Sequence, residues 1–510
     1  MEFTEPLDLR LVEEPEIVIG LVGPLGSPMP RIIDLLKDAL AGVGYSGEEI
    51  RLSRFLQYFD ALPTQHPSDD DLPFLRWNAL MSRGNELREG LKRGDALAMH
   101  AAAAIRSERP KVDPPMLQKR AFVLRQLKHP DEVRLLRQVY GDGFHLIAVY
   151  TPEDTRSEYL RNYIGLSPDQ ASELIERDAG EEIKYGQQVT KTFHHADLFV
   201  DVQGWDDKSL ESAQSQIVRY VDLLFGRSII TPSSDEYGMY LAFSAALRSS
   251  DLSRQVGAAI LGENGEVLAL GTNEVPRAGG GQYWGGDHDD RDFVRGYDSN
   301  AKIKLECAEE VMYHLDPERW AGLSPTEREA ELAAGVQALG QTRLMNLTEF
   351  GRAVHAEMEA ILSAVRIGVC IRDQTLYTTT FPCHNCAKHI VGSGLKRVVY
   401  VEPYSKSLAN RLHGDAIAFS IDELRPGRMP FEPFRGVAPR RFSVLFSMTS
   451  HDGTRVARKT PSGDVKTEPS GLRCSVTPLT HIDREAVVAD YLDHLMEGLS
   501  QTENAEEEEV

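Results

Sequence analysis

Cysteine is scarce, five residues in 510, and the five form no paired framework. That excludes a disulfide-stapled scaffold and implies a reduced, cytoplasmic setting. Long apolar runs are missing too: no stretch reaches the roughly 20 residues that a bilayer-spanning helix needs. The opening Met1-Glu2-Phe3-Thr4-Glu5 has neither a basic region nor an apolar run, so neither export nor a membrane partner is expected. Positive charge is in deficit, with 56 Lys and Arg against 78 Asp and Glu and a net charge of -22. No Lys/Arg cluster with interleaved aromatics offsets it, which makes a polyanion such as DNA or RNA a poor partner. The length exceeds what one hydrophobic core usually supports, so at least two domains are expected. No internal repeat is present.

What is there begins with alternating strand and helix patterns. Glu16 to Gly23 reads as a buried strand running into a glycine-rich turn, and Arg31 to Leu40 as an amphipathic helix. Further strands are expected at Arg120 to Leu127, Phe144 to Tyr150 and Leu198 to Val202, with helices between. Such alternation predicts a parallel sheet covered on both faces. The turn Gly20-Leu21-Val22-Gly23-Pro24-Leu25-Gly26-Ser27 has the placement of a phosphate-binding loop, with Gly20, Gly23, Gly26 and Ser27 as candidate nucleotide-binding residues. It lacks the Gly-Lys-Ser/Thr ending whose lysine meets the terminal phosphates. Three readings therefore stay open: a nucleotide sensor, a degenerate scaffold, or a kinase borrowing a lysine from elsewhere. Glu176-Arg177-Asp178 reads as part of a kinase lid or as a solvated helix face.

The chemistry concentrates further on. His355-Ala356-Glu357 is followed by Pro382-Cys383-His384-Asn385-Cys386. Two thiolates and a neutral imidazole fill three of the four tetrahedral positions of Zn2+ and leave the last for water. Zinc brings the pKa of its bound water from nearly 16 toward about 7, and Glu357 is placed to take that proton. Residues two apart lie about 200° around a helix, so His355 and Glu357 serve one metal only from the first turn. The apolar-periodic stretch Met358 to Val365 continues that helix, Thr375 to Thr380 reads as a strand, and Ala387 to Val391 as the next helix. The cysteines then sit at a helix N-terminus, whose dipole favours the thiolate.

These ligands resemble the zinc-deaminase signature, in which the glutamate is general acid and base. Arg248-Ser249-Ser250-Asp251-Leu252-Ser253-Arg254-Gln255-Val256-Gly257-Ala258-Ala259-Ile260, then Gly271-Thr272-Asn273-Glu274-Val275-Pro276 and Val399-Tyr400-Val401-Glu402-Pro403-Tyr404, resemble deoxycytidylate deaminases. With its long N-terminal extension, the chain is similar to the two-domain deoxycytidine nucleotide deaminases of bacterial anti-phage defence. The resemblance implies an α/β fold: residues 1–230 a P-loop-kinase-like parallel-sheet domain for nucleotide binding or regulation, 231–450 a cytidine-deaminase-like α/β/α domain with an insertion at 279–345, and 451–510 a C-terminal extension. The boundary is expected near Ile229 to Glu236, where Thr231 or Ser233 can cap a helix that Pro232 helps to start. The tail Glu503 to Val510 reads as a solvated, disordered end.

The implied reaction is hydrolysis at C4 of cytosine in dCMP or dCTP, yielding dUMP or dUTP and ammonia, with Glu357 moving the protons. His355, Cys383 and Cys386 are the expected zinc ligands. Asn273, the Ala356 N-H, Tyr404 and Lys406 are the expected substrate contacts, with Tyr404 alternatively a core aromatic and Arg440-Arg441 offering further cations. Glu359 departs from the asparagine common in deoxycytidylate deaminases, which bears on how many phosphates are accepted. His288 and its acidic neighbours read as a polar loop, with a second metal as the alternative, and Pro325 to Leu339 reads as a helix of the insertion. The implied purpose is dCTP depletion during phage infection. Salvage dCMP deamination, nucleic-acid editing and a binding module with structural zinc are the alternatives. Expected partners are a regulatory nucleotide or an inhibitory RNA or protein, and further copies of the chain.

Overall fold

The structure is a computed structural model describing residues 15–59, 62–68, 70–109, 119–181, 183–227, 229–286, 288–340, 342, 344–402, 407–419, 423–449, 455–466, 471–473 and 478–508. It is mixed α/β with two sheets, divided between a unit of Met1–Glu236 with Arg435–Val510 and a unit of Tyr237–Phe434. The first division falls between Glu236 and Tyr237, where the sequence suggested an edge near 230. Residues 435–450, by contrast, were expected with the second unit and group with the first. No helix among the described residues is long and apolar enough to cross a membrane.

In the first unit, β1 (Ile17–Val22), β2 (Ser46–Arg51), β3 (Arg120–Arg125), β4 (Phe144–Tyr150) and β5 (Leu198–Asp201) form a parallel sheet in the order 5-4-1-3-2. A two-residue strand, Gly436–Val437, adds antiparallel to β5. Every residue of β1 is buried because helices cover both faces of a central parallel strand. Edge strand β2, Ser-Gly-Glu-Glu-Ile-Arg, is largely polar. Helix Met29–Ala41 buries Ile32, Ile33, Leu36 and Leu40 on β1 and its neighbours, each worth about 1.5–3 kcal/mol of transfer free energy.

β1 has β3 on one side and β4 on the other, so the crossovers part at its carboxyl end, the place where open α/β sheets hold ligands. A cavity of about 420 Å³ opens there, lined among others by Gly26, Ser27, Arg51, Arg125, Lys128 and Trp205. The turn itself is largely self-satisfied. The Leu25 N-H donates to Asp178 Oδ2 at 2.7 Å, and Lys128 Nζ donates to the other oxygen of that carboxylate at 2.5 Å. Ser27 N-H donates to the Pro24 carbonyl and Met29 N-H to the Ser27 carbonyl. Pro24, Pro28 and Pro30 supply no N-H at all. Gly20 lies inside β1 rather than in the turn, and a Cβ there would meet Leu127 at 2.7 Å and Phe144 at 3.0 Å. Gly26 does belong to the turn, with φ at +90°. Asp178, read as lid or solvated face, is fully buried.

Helix Pro478–Glu508 closes the unit, so residues 503–508, expected as a disordered end, are helical. Glu and Ala are strong helix formers and extend a helix already begun. Its first turns are tied down by charge: Arg109 bonds both Glu16 and Glu485, and His481 Nε2 lies 2.9 Å from Glu16 Oε1. These two carboxylates and the histidine are close enough to share an ion, but the Arg109 guanidinium already neutralises the acids. Arg440 and Arg441, expected at a phosphate, surround Asp197 of this unit at 3.5 and 3.2 Å. Asp197 is fully buried, and a buried carboxylate requires such cations.

His145 on β4 is fully buried, with Nδ1 3.0 Å from the Tyr220 hydroxyl. Burial, then Arg441 and Arg137 opposed by Asp197, pushes its pKa from 6.5 down to about 3. The folded protein thus keeps it neutral where the unfolded chain takes a proton, and stability falls as pH drops below 6.5. At pH 5 the loss is roughly 2 kcal/mol from this side chain. His145→Gln, which can still bond Tyr220, is expected to show a shallower fall in Tm between pH 7 and 5; parallel Tm curves would refute the assignment.

In the second unit, β6 (Gly257–Leu261), β7 (Val267–Thr272), β8 (Thr375–Thr380), β9 (Arg397–Glu402), β10 (Ile417–Ala418) and β11 (Met429–Pro433) order as 10-11-9-8-6-7. Strands 10, 11, 9 and 8 run parallel, and β6 pairs antiparallel with both β8 and β7. The unit's entry helix, Ser234–Ala246, is capped by Ser233: Ser233 N-H donates to Glu236 Oε2 and Glu236 N-H to Ser233 Oγ, at 2.8 and 3.2 Å. The insertion forms helices Ser299–Leu315, Pro317–Gly322 and Pro325–Leu339. Near His288 the acids have arginine partners, Asp289 with Arg291 and Asp290 with Arg295 and Arg352.

Candidate active site

Two helix starts converge on one point. Helix Ala356–Ile367 packs on β7 and has His355 as its N-cap, in extended backbone, so the imidazole projects ahead of the first turn. Glu357, one residue into the helix, is 4 % exposed. Strand β8 leads through Phe381-Pro382 to Cys383, the N-cap of helix His384–Gly392, whose Sγ accepts the Cys386 N-H at 3.4 Å. The close approach of the first helix depends on Gly271 of β7: a Cβ there would fall 2.0 Å from the Ala356 carbonyl oxygen and 2.4 Å from the Ala360 nitrogen.

His355 Nδ1 lies 3.4 Å from Cys383 Sγ and 3.3 Å from Cys386 Sγ, and the three ligand atoms fall within 4.8 Å of one another. Tetrahedral zinc with bonds of about 2.3 Å to sulfur and about 2.05 Å to nitrogen separates S from N by about 3.6 Å, so the donor set fits that ion. Sulfur and imidazole also suit zinc by softness. Among the described residues the cluster has three ligand side chains, which leaves one vertex for a non-protein ligand. Glu357 Oε2 stands 3.5 Å from Cys386 Sγ, beside the cluster. Burial pushes its carboxyl above the usual range. The hydrogen bonds of Cys386 and then His355 hold the Cys383 thiol down to about 4.

A cavity of about 440 Å³ opens on this cluster, a size that suits a small ligand. The structure brings His355, Cys383, Glu357, Ala356 and Asn273 into its wall. Asn273 holds the wall in shape as well: its Oδ1 accepts the Val256 N-H and its Nδ2 donates to the Arg254 carbonyl, both at 2.7 Å. Tyr404 and Lys406 lie outside the described residues. Glu359 is buried and bonds Arg366 of its own helix, away from the cavity lining. Sequence reasoning missed Glu274, which lines the cavity and bonds Ser250 through N-H and Oγ and Arg291 at 3.2 Å. A carboxylate directly after the Gly-Thr-Asn turn was the available signal. The insertion, whose helices were expected to cover the pocket or make subunit contacts, lines the cavity with Asp292, Asn300 and Lys304, and Arg352 beyond it joins them.

Residues 232–402 match the family described as "Cytidine and deoxycytidylate deaminase zinc-binding region". The deoxycytidylate deaminase of Enterobacteria phage T2 is 50% identical over 54 residues, 11% of this chain and 29% of its own length. ComE operon protein 2 of Bacillus subtilis (strain 168) is 38% identical over 98 residues, 18% of this chain and 52% of its own. The chain thus spans between less than a third and about half of these relatives' length. A crystal structure of the dCMP deaminase from cyanophage S-TIM5 in complex with dCMP and dUMP aligns with a TM-score of 0.23 at 17% identity, over 40% of this chain and 98% of that one.

Proposed function

We propose that the unit Tyr237–Phe434 is a zinc-dependent hydrolase that deaminates deoxycytidine nucleotides, dCMP or dCTP, to the uracil nucleotide and ammonia. The observation that carries this reading is the enclosed Glu357 carboxylate beside a His355/Cys383/Cys386 cluster with one vertex left, on a nucleotide-sized cavity. Zinc, when bound, acidifies water at that vertex. Glu357 accepts a proton from the attacking water and passes it to ring N3, then takes the hydroxyl proton of the C4 adduct and delivers it to the departing amine, so the carboxylate is regenerated. The Ala356 N-H, at the first helical position, is available to the base edge, and Asn273 to the sugar or base.

The same reading makes the first unit the regulatory half, with the cavity at the carboxyl end of β1 as its nucleotide-binding pocket. The missing lysine and the Leu25 N-H engaged by Asp178 disfavour phosphoryl transfer there. Its purpose, on this view, is depletion of deoxycytidine nucleotides against phage, a role supported by the resemblance to two-domain defence deaminases and by a second unit that salvage alone does not require. The relatives named as deoxycytidylate deaminases equally suit salvage.

Ammonia release from dCMP, dCTP, cytidine, single-stranded DNA and single-stranded RNA by purified protein, with zinc content measured alongside, tests the proposal. Turnover of a deoxycytidine nucleotide that disappears on chelation and returns with zinc is expected. A zinc-loaded protein silent on both nucleotides, or one that makes uracil only in the polymers, overturns it.

A further inference from the structure

The insertion supplies one wall of the catalytic cavity. Asn300 and Lys304 lie four residues apart on helix Ser299–Leu315, hence on one face, and both line the cavity with Glu357 and His355. Asn300 Nδ2 donates to the Leu347 carbonyl and Lys304 Nζ to the Met345 carbonyl, each at 3.1 Å. These bonds clip the helix to the segment that leads into the zinc helix, so Lys304 is held at the cavity and not left to wander in solvent.

Most charged side chains around the cavity have a hydrogen-bond or ion-pair partner. Asp251 accepts the N-H groups of Ser253 and Arg254; Glu274 pairs with Arg291; Asp292 pairs with Arg352; Asp298 caps its helix through the Ala301 N-H. Of the lining cations, Arg352 is thus taken, and Arg254 lies 3.5 Å from Glu402. Lys304 donates to a neutral carbonyl and, among the described residues, has no carboxylate partner. A half-buried ammonium without a counter-ion, fixed in the wall of a substrate cavity, lacks an anion that the ligand can bring.

We propose that Lys304 binds a phosphate of the substrate, so that the insertion distinguishes nucleotides from the free nucleoside. This rests on the deaminase reading for the nature of the substrate, and only the phosphate contact is new. The test is Lys304→Met and Lys304→Arg in the zinc-loaded full chain, with KM and kcat for dCMP and calorimetric binding of dCMP and of deoxycytidine. Lys304→Met is expected to raise KM and Kd for dCMP about ten- to one-hundred-fold, with kcat changed less than about three-fold and deoxycytidine binding unchanged; Lys304→Arg restores most of the loss. Unaltered dCMP binding, equal weakening of dCMP and deoxycytidine, or no dCMP binding by the parent protein overturns the inference. Lys304-dependent dCMP binding without ammonia release supports it while overturning the deamination reading.

Discussion

Glu357→Gln is expected to lower turnover of a deoxycytidine nucleotide by about a thousand-fold or more while zinc stays bound. Glutamine matches glutamate in size, so the buried position beside Cys386 stays filled. It cannot accept a proton, and the proposed cycle asks one carboxylate to accept twice and donate twice. A single positioned acid or base is typically worth 10²–10⁴-fold, and a group used in every transfer belongs at the upper end. Zinc content by elemental analysis, dCMP affinity by calorimetry and ammonia release together check it: metal retained, affinity within a few-fold, turnover lost. Turnover within tenfold of the parent removes Glu357 from the chemistry.

The second large effect is expected away from the reacting atoms. Gly271→Ala adds one methyl to ordinary strand backbone, yet its Cβ would stand 2.0 Å from the Ala356 oxygen and 2.4 Å from the Ala360 nitrogen. Both are backbone atoms of the zinc helix, so no side-chain rotation relieves the overlap, and the first turn must move off β7. That turn carries His355 and Glu357. Overpacking of this kind costs about 1–3 kcal/mol, and a displacement of about 1 Å at a catalytic group costs about a hundred-fold in rate. The variant is expected to melt earlier, hold zinc more weakly and turn over about a hundred-fold more slowly. Parent-like Tm, zinc content and rate together would mean that the helix does not depend on this contact.

Both predictions concern a region the sequence exposed readily. Zinc chemistry restricts its ligands to a few residue types, and serving one ion from two helix starts restricts their spacing; hence the segment around His355, Glu357, Cys383 and Cys386 was readable together with β8, whose Thr375–Thr380 bounds are those expected. β1 and β4 were readable because central parallel strands are continuously apolar. β2 was not, since the edge strand Ser46–Arg51 is polar and only pairing with β3 makes it a strand. The Gly436–Val437 strand is two residues long and has no pattern of its own. The same limit hid the regrouping of residues 435–450, where Arg441 is drawn to Asp197, a partner 244 positions away. Gly20 shows the opposite error: a glycine in a phosphate-type spacing that serves strand packing against Leu127 and Phe144. Lys304 was unreadable because its significance lies in what the other cavity charges are paired with.

The first unit is discontinuous, and this bears on how the chain is made. Residues 15–236 leave the ribosome with five strands of their sheet, but the sixth strand and the helix that brings Glu485 to Arg109 and His481 to Glu16 are synthesised only after Tyr237–Phe434. At translation rates of about 5–20 residues per second, that interval is roughly 10 to 40 s. During it, Glu16 and Arg109 lack His481 and Glu485, the final strand edge on β5 is bare, and the unit Tyr237–Phe434 has already emerged. The half that begins first is therefore the half that finishes last.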